Sequence, residues 1–325
     1  SYDGIQAVTG TWTSTTETPE CGTTNLNQRK QAVVDNTSIT SGSVSATACM
    51  AVHIGASDVA ASTFGQSSYG DLYGHRGGDY TTREIGGYAD PELMGFTKAR
   101  PVVVPFAFYA NNDVPFDNIT REMAVSLYAG QIKDWNEFDT TLASKKVVLC
   151  LRHAGSGTHA TLDANVMRGD AGLVQTQVKP TDGAFLFGFS PVTWFNKGSS
   201  DELKCVAQNA GAIGYADSDK CDPDCLAQAT DGTAVEDTTF GGYVKRLTFQ
   251  GVPANKAQIV DGQYGFWSAQ WLYYAATGDL VDLIKDLDTY ASNPANLPVK
   301  KAPYWAADSE MHFTKSTDFS MPQKK

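Results

Sequence analysis

The chain has 325 residues, of which 42% are hydrophobic and 19% charged, with a formal net charge of −11. Its length is about twice that of a typical domain, so we expect two lobes, each with a sizeable core. Because a net negative charge repels polyanions and no stretch is rich in Lys and Arg, nucleic-acid binding is not expected.

The apolar runs and the cysteines indicate the compartment. No apolar run reaches the roughly 18 residues that a membrane span needs. The sequence begins Ser-Tyr-Asp-Gly, with neither an initiator Met nor the apolar segment of a signal peptide, so we expect a mature, processed product. The six cysteines are an even number, which favours disulfides and an extracytoplasmic location, whether periplasmic, cell-surface or secreted.

The pairing of the cysteines cannot be deduced from their spacing. We expect Cys21 to pair with Cys49, and one local link among Cys205, Cys221 and Cys225. The spacing Cys221-x-x-x-Cys225 also suits a zinc knuckle, but no second pair of Cys or His stands at ligand spacing. No metal site is therefore expected.

Short β-rich runs alternate with helical patterns, which predicts an α/β fold with mainly parallel sheets. The predicted strands cover residues 51–54, 101–109, 146–151 and 212–215. The predicted helices cover residues 120–129, 159–167 and 267–290, the last interrupted near Gly278. At the first of these helices, Thr120 can cap the first turn and Gly130 suits the end.

The run at residues 101–109 is apolar on both faces and contains two prolines. Both features suit a strand that is buried between layers or crosses from one lobe to the other. With a second crossing just after residues 211–215, the prediction is a lobe 1 of residues 1–107 plus 218–325 and a lobe 2 of residues 108–217.

The most informative segment runs from a strand through Arg152 into the turn Gly155-Ser156-Gly157-Thr158 and then a helical pattern. Such a turn leaves the first N–H groups of a helix pointing into open space at its positive end, which suits an anion. Glycine lets a ligand approach the backbone, the two hydroxyls are further donors, and the guanidinium fits two oxyanion oxygens. The same pattern also occurs in plain strand–helix turns.

Arg-x-x-Gly-Ser-Gly-Thr after a strand resembles a signature of the phosphate-binding proteins of ABC transporters and of their extracellular relatives, the DING proteins. Three further segments match this family in the same order, and the four together cover residues from about 50 to 220. The three are Ile54-Gly-Ala-Ser57-Asp58, the stretch from Asn118-Ile-Thr to Gly130-Gln-Ile-Lys-Asp-Trp135, and Gly211-Ala-Ile-Gly-Tyr215.

The resemblance implies a type II periplasmic-binding-protein fold, with the ligand in a cleft between two α/β lobes. It also implies the ligand residues. Arg152, Ser156, Gly157 and Thr158 would hold the anion from lobe 2, and Ser57 with Asp58 would contact it from lobe 1. Thr11 and Ser43 stand where the family has two further anion loops, in segments that match it loosely.

Two residues, Asp58 and Ala154, bear on the affinity and selectivity of this site. Asp58 can accept a hydrogen bond from a protonated oxyanion such as hydrogen phosphate, whereas sulfate would place two unpaired negative charges face to face. Without the resemblance, Asp58 would be read as a cap or turn residue after the strand. Ala154 stands where the family has an Asp that pairs with the arginine, so Arg152 is expected to be freer or to find another partner.

Other polar residues favour simpler interpretations. Four acidic residues crowd a Cys-bearing loop, but their spacing does not follow a calcium loop, so a solvated acidic loop is expected. They are Asp217, Asp219, Asp222 and Asp224. His153 and His159 flank the anion turn, where a surface imidazole is the ordinary case and a pH-dependent charge the alternative.

No metalloprotease, nucleophile-elbow or Walker motif is present, so we expect neither an enzyme nor a cofactor. The leading hypothesis is an extracytoplasmic solute-binding protein that captures phosphate by lobe closure and presents it to an ABC transporter permease. One alternative is an extracellular structural, adhesive or filament-forming protein that reuses the fold. Another is the same architecture with a different oxyanion, such as molybdate, or an organic phosphate.

Overall fold

A computed structural model describes residues 1–11, 21–33, 46–65, 73–76, 79–84, 90–152, 155–167, 191–196, 198–220, 236–237 and 242–325. The helices are α1 (Tyr2–Thr9), α2 (Arg121–Tyr128), α3 (Gly157–Leu162), α4 (Ser199–Gln208), α5 (Lys256–Val260) and α6 (Val281–Ala291). The first eight strands are β1 (Gln28–Ala32), β2 (Thr47–Ala51), β3 (Ile54–Ser57), β4 (Tyr73–Arg76), β5 (Asp79–Glu84), β6 (Phe96–Asn111), β7 (Asn118–Ile119) and β8 (Val148–Arg152). The others are β9 (Val192–Asn196), β10 (Ala212–Asp217), β11 (Glu236–Asp237), β12 (Gly242–Arg246), β13 (Thr248–Phe249), β14 (Trp267–Ala275), β15 (Ala306–Ala307), β16 (Phe313–Thr314) and β17 (Gln323–Lys324).

Strand β6 is the longest described strand and pairs with four others. It has 16 residues, of which residues 101–110 are all buried, as the two-faced apolar run predicted. Its first half pairs with β14 and β15, for example Val103 with Ala269, and its second half pairs with β10 and β12, for example Ala110 with Ile213. One strand therefore joins two groups of neighbours.

The central sheet has nine strands, in the order β11-β12-β6-β10-β8-β9, with β14, β15 and β3 attached through β6. The expected parallel pairing holds for β8 with β9 and β10. The expectation of a mainly parallel sheet is wrong elsewhere, because every partner of β6 runs antiparallel to it. The α/β class is confirmed, with a mixed sheet.

The helix predicted at residues 120–129 is confirmed as α2. The Thr120 side chain accepts a hydrogen bond from the Met123 amide at 3.2 Å, and Gly130 has a φ of 71° just past the end. The helix predicted at residues 159–167 is also confirmed, since α3 continues directly into a π-helical turn, Asp163–Met167.

The helix predicted at residues 267–290 is wrong over its first half. Residues 267–275 form β14, which lies between β3 and β6, and only residues 281–291 are helical, as α6. Aromatic side chains favour a pleated surface, and here Trp267 and Tyr273 are buried by neighbouring strands.

Two disulfides lie among the described residues. Cys21 pairs with Cys49, as expected, and joins the segment before β1 to the middle of β2. Cys205 pairs with Cys150 of β8, a partner that the sequence interpretation had not included. Cys221 and Cys225, the remaining members of the expected local set, lie outside the described residues. None of the described helices is both long and apolar enough to cross a bilayer.

Candidate functional site

The turn after β8 has the geometry that the sequence predicted. Gly155 has a φ of 86°, a conformation that favours glycine, and α3 begins two residues later at Gly157. The Ser156 hydroxyl caps this helix, since it accepts from the His159 amide at 3.3 Å. Every residue from Gly157 to Leu162 is buried, so the helix begins inside the protein rather than on its surface.

Asp58 lies in the loop that follows β3 and is bonded to the first residue of the chain. The Ser1 hydroxyl donates to Asp58 Oδ2 at 3.0 Å, and it accepts from the Asp58 amide at 3.1 Å. Ser1 is also the residue that precedes α1. The start of α1 is therefore held against the loop after β3.

This pair contacts the start of α3 directly. A Cβ on Gly157 would lie 2.5 Å from Asp58 Oδ2 and 2.6 Å from Asp58 Cβ, and closer still to the Ser1 hydroxyl oxygen. Next to it, the Tyr2 amide donates to the Gly155 carbonyl oxygen at 3.1 Å. The starts of two helices and a carboxylate thus meet at one point, which we call the Asp58–Gly157 junction.

Ser1 is a member of the junction that sequence reasoning missed. A serine before the helical pattern of Tyr2, Ile5 and Val8 was the available signal for a helix start. Thr11 had been assigned instead. It lies past the other end of α1, where its amide donates to the Gln6 carbonyl, and eight helical residues, about 12 Å of helix, separate the two ends.

The remaining predicted residues have different positions. Thr158 is buried beside Gly157 in α3. Ser57 is buried too, and its hydroxyl accepts from the Val59 amide at 3.3 Å, a contact within its own loop. Ser43, His153 and Ala154 lie outside the described residues.

Arg152, at the end of β8, is hydrogen-bonded to a residue of another element, and the family's Asp is replaced by Ala154. Its Nη1 donates to the Ser199 hydroxyl of α4 at 2.8 Å. Its amide donates to the Tyr215 hydroxyl at 3.0 Å, and the same hydroxyl lies 2.5 Å from His159 Nδ1. Tyr215, from the predicted Gly-Ala-Ile-Gly-Tyr segment, therefore links β8 to α3. His159 is buried, so the surface imidazole expected there is wrong.

The charges at the end of β10 connect these groups. Burial raises the pKa of Asp217, and the charge of Asp58 raises it further, whereas Lys220 and Arg152 lower it. The charges of Asp58 and Arg152 thus act on the pKa of Asp217 in opposite directions. The neighbouring Asp219 is buried and paired with Lys301, so the solvated acidic loop expected here is wrong for that residue.

Two further features bear on what the site can hold. Among the described residues, no three His, Cys, Asp or Glu side chains are grouped so that they could hold a metal ion. A separate cleft of about 880 Å³ lies between α5 and the segment around Tyr304, and the residues that line it include none of the predicted ligand residues.

Comparison with known families agrees with this architecture. The family model described as the PBP superfamily domain matches residues 82–293, well over half of the chain. The chain therefore belongs to this family of periplasmic-binding-protein-like domains, which confirms the predicted fold class. The match includes three of the four quoted segments and excludes the one that contains Asp58.

Individual relatives are more distant. The phosphate-binding protein PstS of Bacillus subtilis (strain 168) is 25% identical over 189 residues, which cover 58% of this chain and 49% of the relative. The chain thus spans about half the length of this curated relative. A putative phosphate ABC transporter substrate-binding protein with bound phosphate from Clostridium perfringens has 15% identity, 72% coverage of each chain and a TM-score of 0.46. An ABC-type phosphate transport receptor from Vibrio cholerae has 15% identity, covers 66% of this chain and 72% of its own, and has a TM-score of 0.41.

Proposed function

We propose that this chain is an extracytoplasmic solute-binding protein that captures phosphate, or a related oxyanion, between two lobes for uptake by an ABC-type transporter. Family membership and the curated PstS relative support this function. The observation that carries it is the Asp58–Gly157 junction, because it brings a helix start and a carboxylate from distant parts of the chain into contact.

The start of α3 supplies donors for an anion. The first N–H groups of a helix have no partner within the helix, and the Ser156 side chain accepts from that of His159. The amides of Gly157 and Thr158 are therefore the groups we assign to the ligand, at the positive end of the helix. The Thr158 hydroxyl and the Arg152 guanidinium complete the set, together with the Ser1 hydroxyl once it turns from Asp58 to the ligand.

The Asp58 carboxylate selects the form of the anion. It stands against the start of α3, so a fully ionised anion there would face a negative charge. The O–H group of hydrogen phosphate can donate a hydrogen bond to a carboxylate oxygen, which replaces the repulsion between two charges by an attraction. Sulfate has no proton to donate near neutral pH, so it is excluded by the same oxygen.

The lobe boundaries are part of this proposal: residues 1–107 and 218–325 in one lobe and 108–217 in the other. The change of partners along β6 supports a boundary within that strand. Asp58 and Ser1 belong to the first lobe and Gly157 to the second. Because the two sides are in direct contact here, an ion enters only when they separate, and closure then replaces its water by protein donors.

The test is a calorimetric titration of the phosphate-free protein with phosphate and with sulfate. We expect heat from phosphate and none from sulfate, and a large loss of phosphate affinity in Arg152→Met. Arg100→Met is the matched control and should bind phosphate as the wild type does. It removes an arginine of the first half of β6 that is paired with Asp308. Equal binding of both anions, or of neither, would overturn the assignment.

A further inference from the structure

Helix α4 is fixed against the face of the sheet from which Arg152 projects. Alternate residues of a strand point to the same face, so Cys150 and Arg152 share one. The Cys150–Cys205 disulfide ties that face to α4. Ser199 and Glu202 precede Cys205 at three-residue intervals, which places all three on one side of the helix. The spacing therefore brings Glu202 to the side of β8 that carries Arg152.

The contacts of α4 agree with this placement. Arg152 donates to the Ser199 hydroxyl, and one helical turn further the Glu202 side chain is fully buried. Glu202 Oε1 accepts from the Tyr215 amide at 2.9 Å. Gly214 permits this close approach, since a Cβ there would lie 3.2 Å from Glu202 Cγ. A carboxyl group is thus enclosed between α4 and the sheet, on the side of β8 that carries Arg152.

The second oxygen of this carboxyl group is not satisfied. Glu202 Oε2 is buried and has no hydrogen-bond partner among the described residues, and the same holds for the buried Tyr128 hydroxyl. Burial raises the pKa of Glu202 well above its usual value, and the charge of Arg152 is the strongest influence that lowers it. Burial and Arg152 therefore have opposite effects on the pKa of Glu202: burial raises it and Arg152 lowers it.

The other titratable groups around Glu202 come from the neighbouring elements. Asp217 of β10 raises the pKa of Glu202 to a smaller extent than Arg152 lowers it, and the charge of Glu202 adds to the burial that raises the pKa of Tyr128 in α2. Burial raises the pKa of Tyr109 of β6, Arg246 of β12 lowers it and Asp217 raises it. Of the cations in the described part of the chain, Arg152 is the one that lowers the pKa of Glu202.

We propose that Glu202 is the buried counter-group of Arg152 and that it takes up a proton when an oxyanion occupies Arg152. This inference rests on the proposed function. The positive guanidinium stabilises the ionised form of Glu202, and the negative charge of a bound anion offsets this stabilisation. The carboxyl group is then left buried without its cation, so it gains a proton. The Asp that the family has at the position of Ala154 then has a counterpart on α4, one helical turn from the Ser199 hydroxyl that accepts from Arg152.

Proton uptake is measured by titrating phosphate calorimetrically in buffers of different ionisation enthalpy, between about pH 5 and pH 9. The wild type is compared with Glu202→Gln, which keeps the Oε1 acceptor for Tyr215, and with Glu122→Gln, an exposed control on α2. We expect the wild type and the control to take up a further fraction of a proton that Glu202→Gln does not. The protonation of phosphate itself cancels in the difference. Identical uptake in wild type and Glu202→Gln, with phosphate bound, overturns the proposal.

A second measurement needs no ligand. Infrared spectroscopy follows the carbonyl stretch of the protonated Glu202 carboxyl group, assigned as the band that Glu202→Gln removes, while the pH is varied. In Arg152→Met, we expect this band to persist to higher pH than in the wild type. An unchanged midpoint overturns the pairing. If the midpoint shifts but no phosphate binds in the calorimetric titration, the influence of Arg152 on Glu202 stands. The proposed function then fails, and the proton uptake on anion binding fails with it.

Discussion

Gly157 lies so close to Asp58 that a Cβ at position 157 would stand 2.5 Å from the Asp58 carboxylate oxygen. The backbone of Gly157 is helical, so this glycine is needed for the close approach and not for an unusual φ angle. The contact joins the start of α3 to the loop after β3, two segments that are about a hundred residues apart. Such an approach leaves no room for another residue type.

Gly157→Ala therefore separates the two sides of the junction. We expect phosphate affinity to fall at least about tenfold and the free energy of unfolding to fall by about 1–3 kcal/mol, the usual cost of overpacking. Calorimetry and urea unfolding measure the two effects. The control is Gly265→Ala, where a Cβ meets nothing within 4 Å. Wild-type affinity in Gly157→Ala would show that the junction does not bind the anion.

Asp58→Asn tests the selection of the protonated anion. An amide can donate to an oxyanion where the carboxylate repels it, so we expect sulfate binding to appear. The ratio of the sulfate to the phosphate dissociation constant should fall by about tenfold or more, or about 1.4 kcal/mol. The measurement is competition between the two anions at fixed pH. An unchanged ratio would mean that Asp58 does not face the ligand.

The two disulfides are expected to differ in function although both stabilise the fold. Removing either by paired Cys→Ala substitutions should lower the free energy of unfolding by about 2–4 kcal/mol. Loss of Cys150–Cys205 also frees α4 from β8, so phosphate affinity should fall, because Ser199 then no longer holds Arg152. Loss of Cys21–Cys49 should leave affinity unchanged. Equal effects of both changes on affinity would refute the positioning by α4.

The pH dependence of stability is expected to change in Glu202→Gln. Because burial raises the pKa of Glu202 above its unfolded value of about 4.3, the folded protein binds this proton more tightly than the unfolded chain does. The contribution of Glu202 to stability is therefore lost as the pH rises from the unfolded pKa to the folded one. Gln has no such loss, so the stability of the variant relative to the wild type should increase as the pH rises above the unfolded pKa of Glu202, about 4.3. A difference that stays constant with pH, in urea unfolding, would contradict this.

Local signals in the sequence predicted the elements whose conformation is decided locally. The Thr120 cap, the buried run at residues 101–109 and the turn from Gly155 into α3 all have the predicted form. The family signature gave the periplasmic-binding-protein fold class. In each case a few neighbouring residues carry the physical cause, such as a capping hydroxyl, a two-faced apolar strand or a glycine with positive φ.

The errors concern long-range contacts. Residues 267–275 form a strand because β3 and β6 pair with both of their edges, which no periodicity within the segment records. Ser1, the residue that precedes α1, contacts Asp58, whereas Thr11, expected in an anion loop, lies past the other end of that helix. The Cys150–Cys205 pairing likewise depends on how α4 packs on the sheet.

The most direct measurement is a crystal structure with arsenate, a close analogue of phosphate whose arsenic atom is located by anomalous scattering. The account predicts a single strong peak at the Asp58–Gly157 junction, with arsenate oxygens within hydrogen-bond distance of the Gly157 amide and the Asp58 carboxylate. Arsenate ordered elsewhere, or absent from the junction at a saturating concentration, would contradict it.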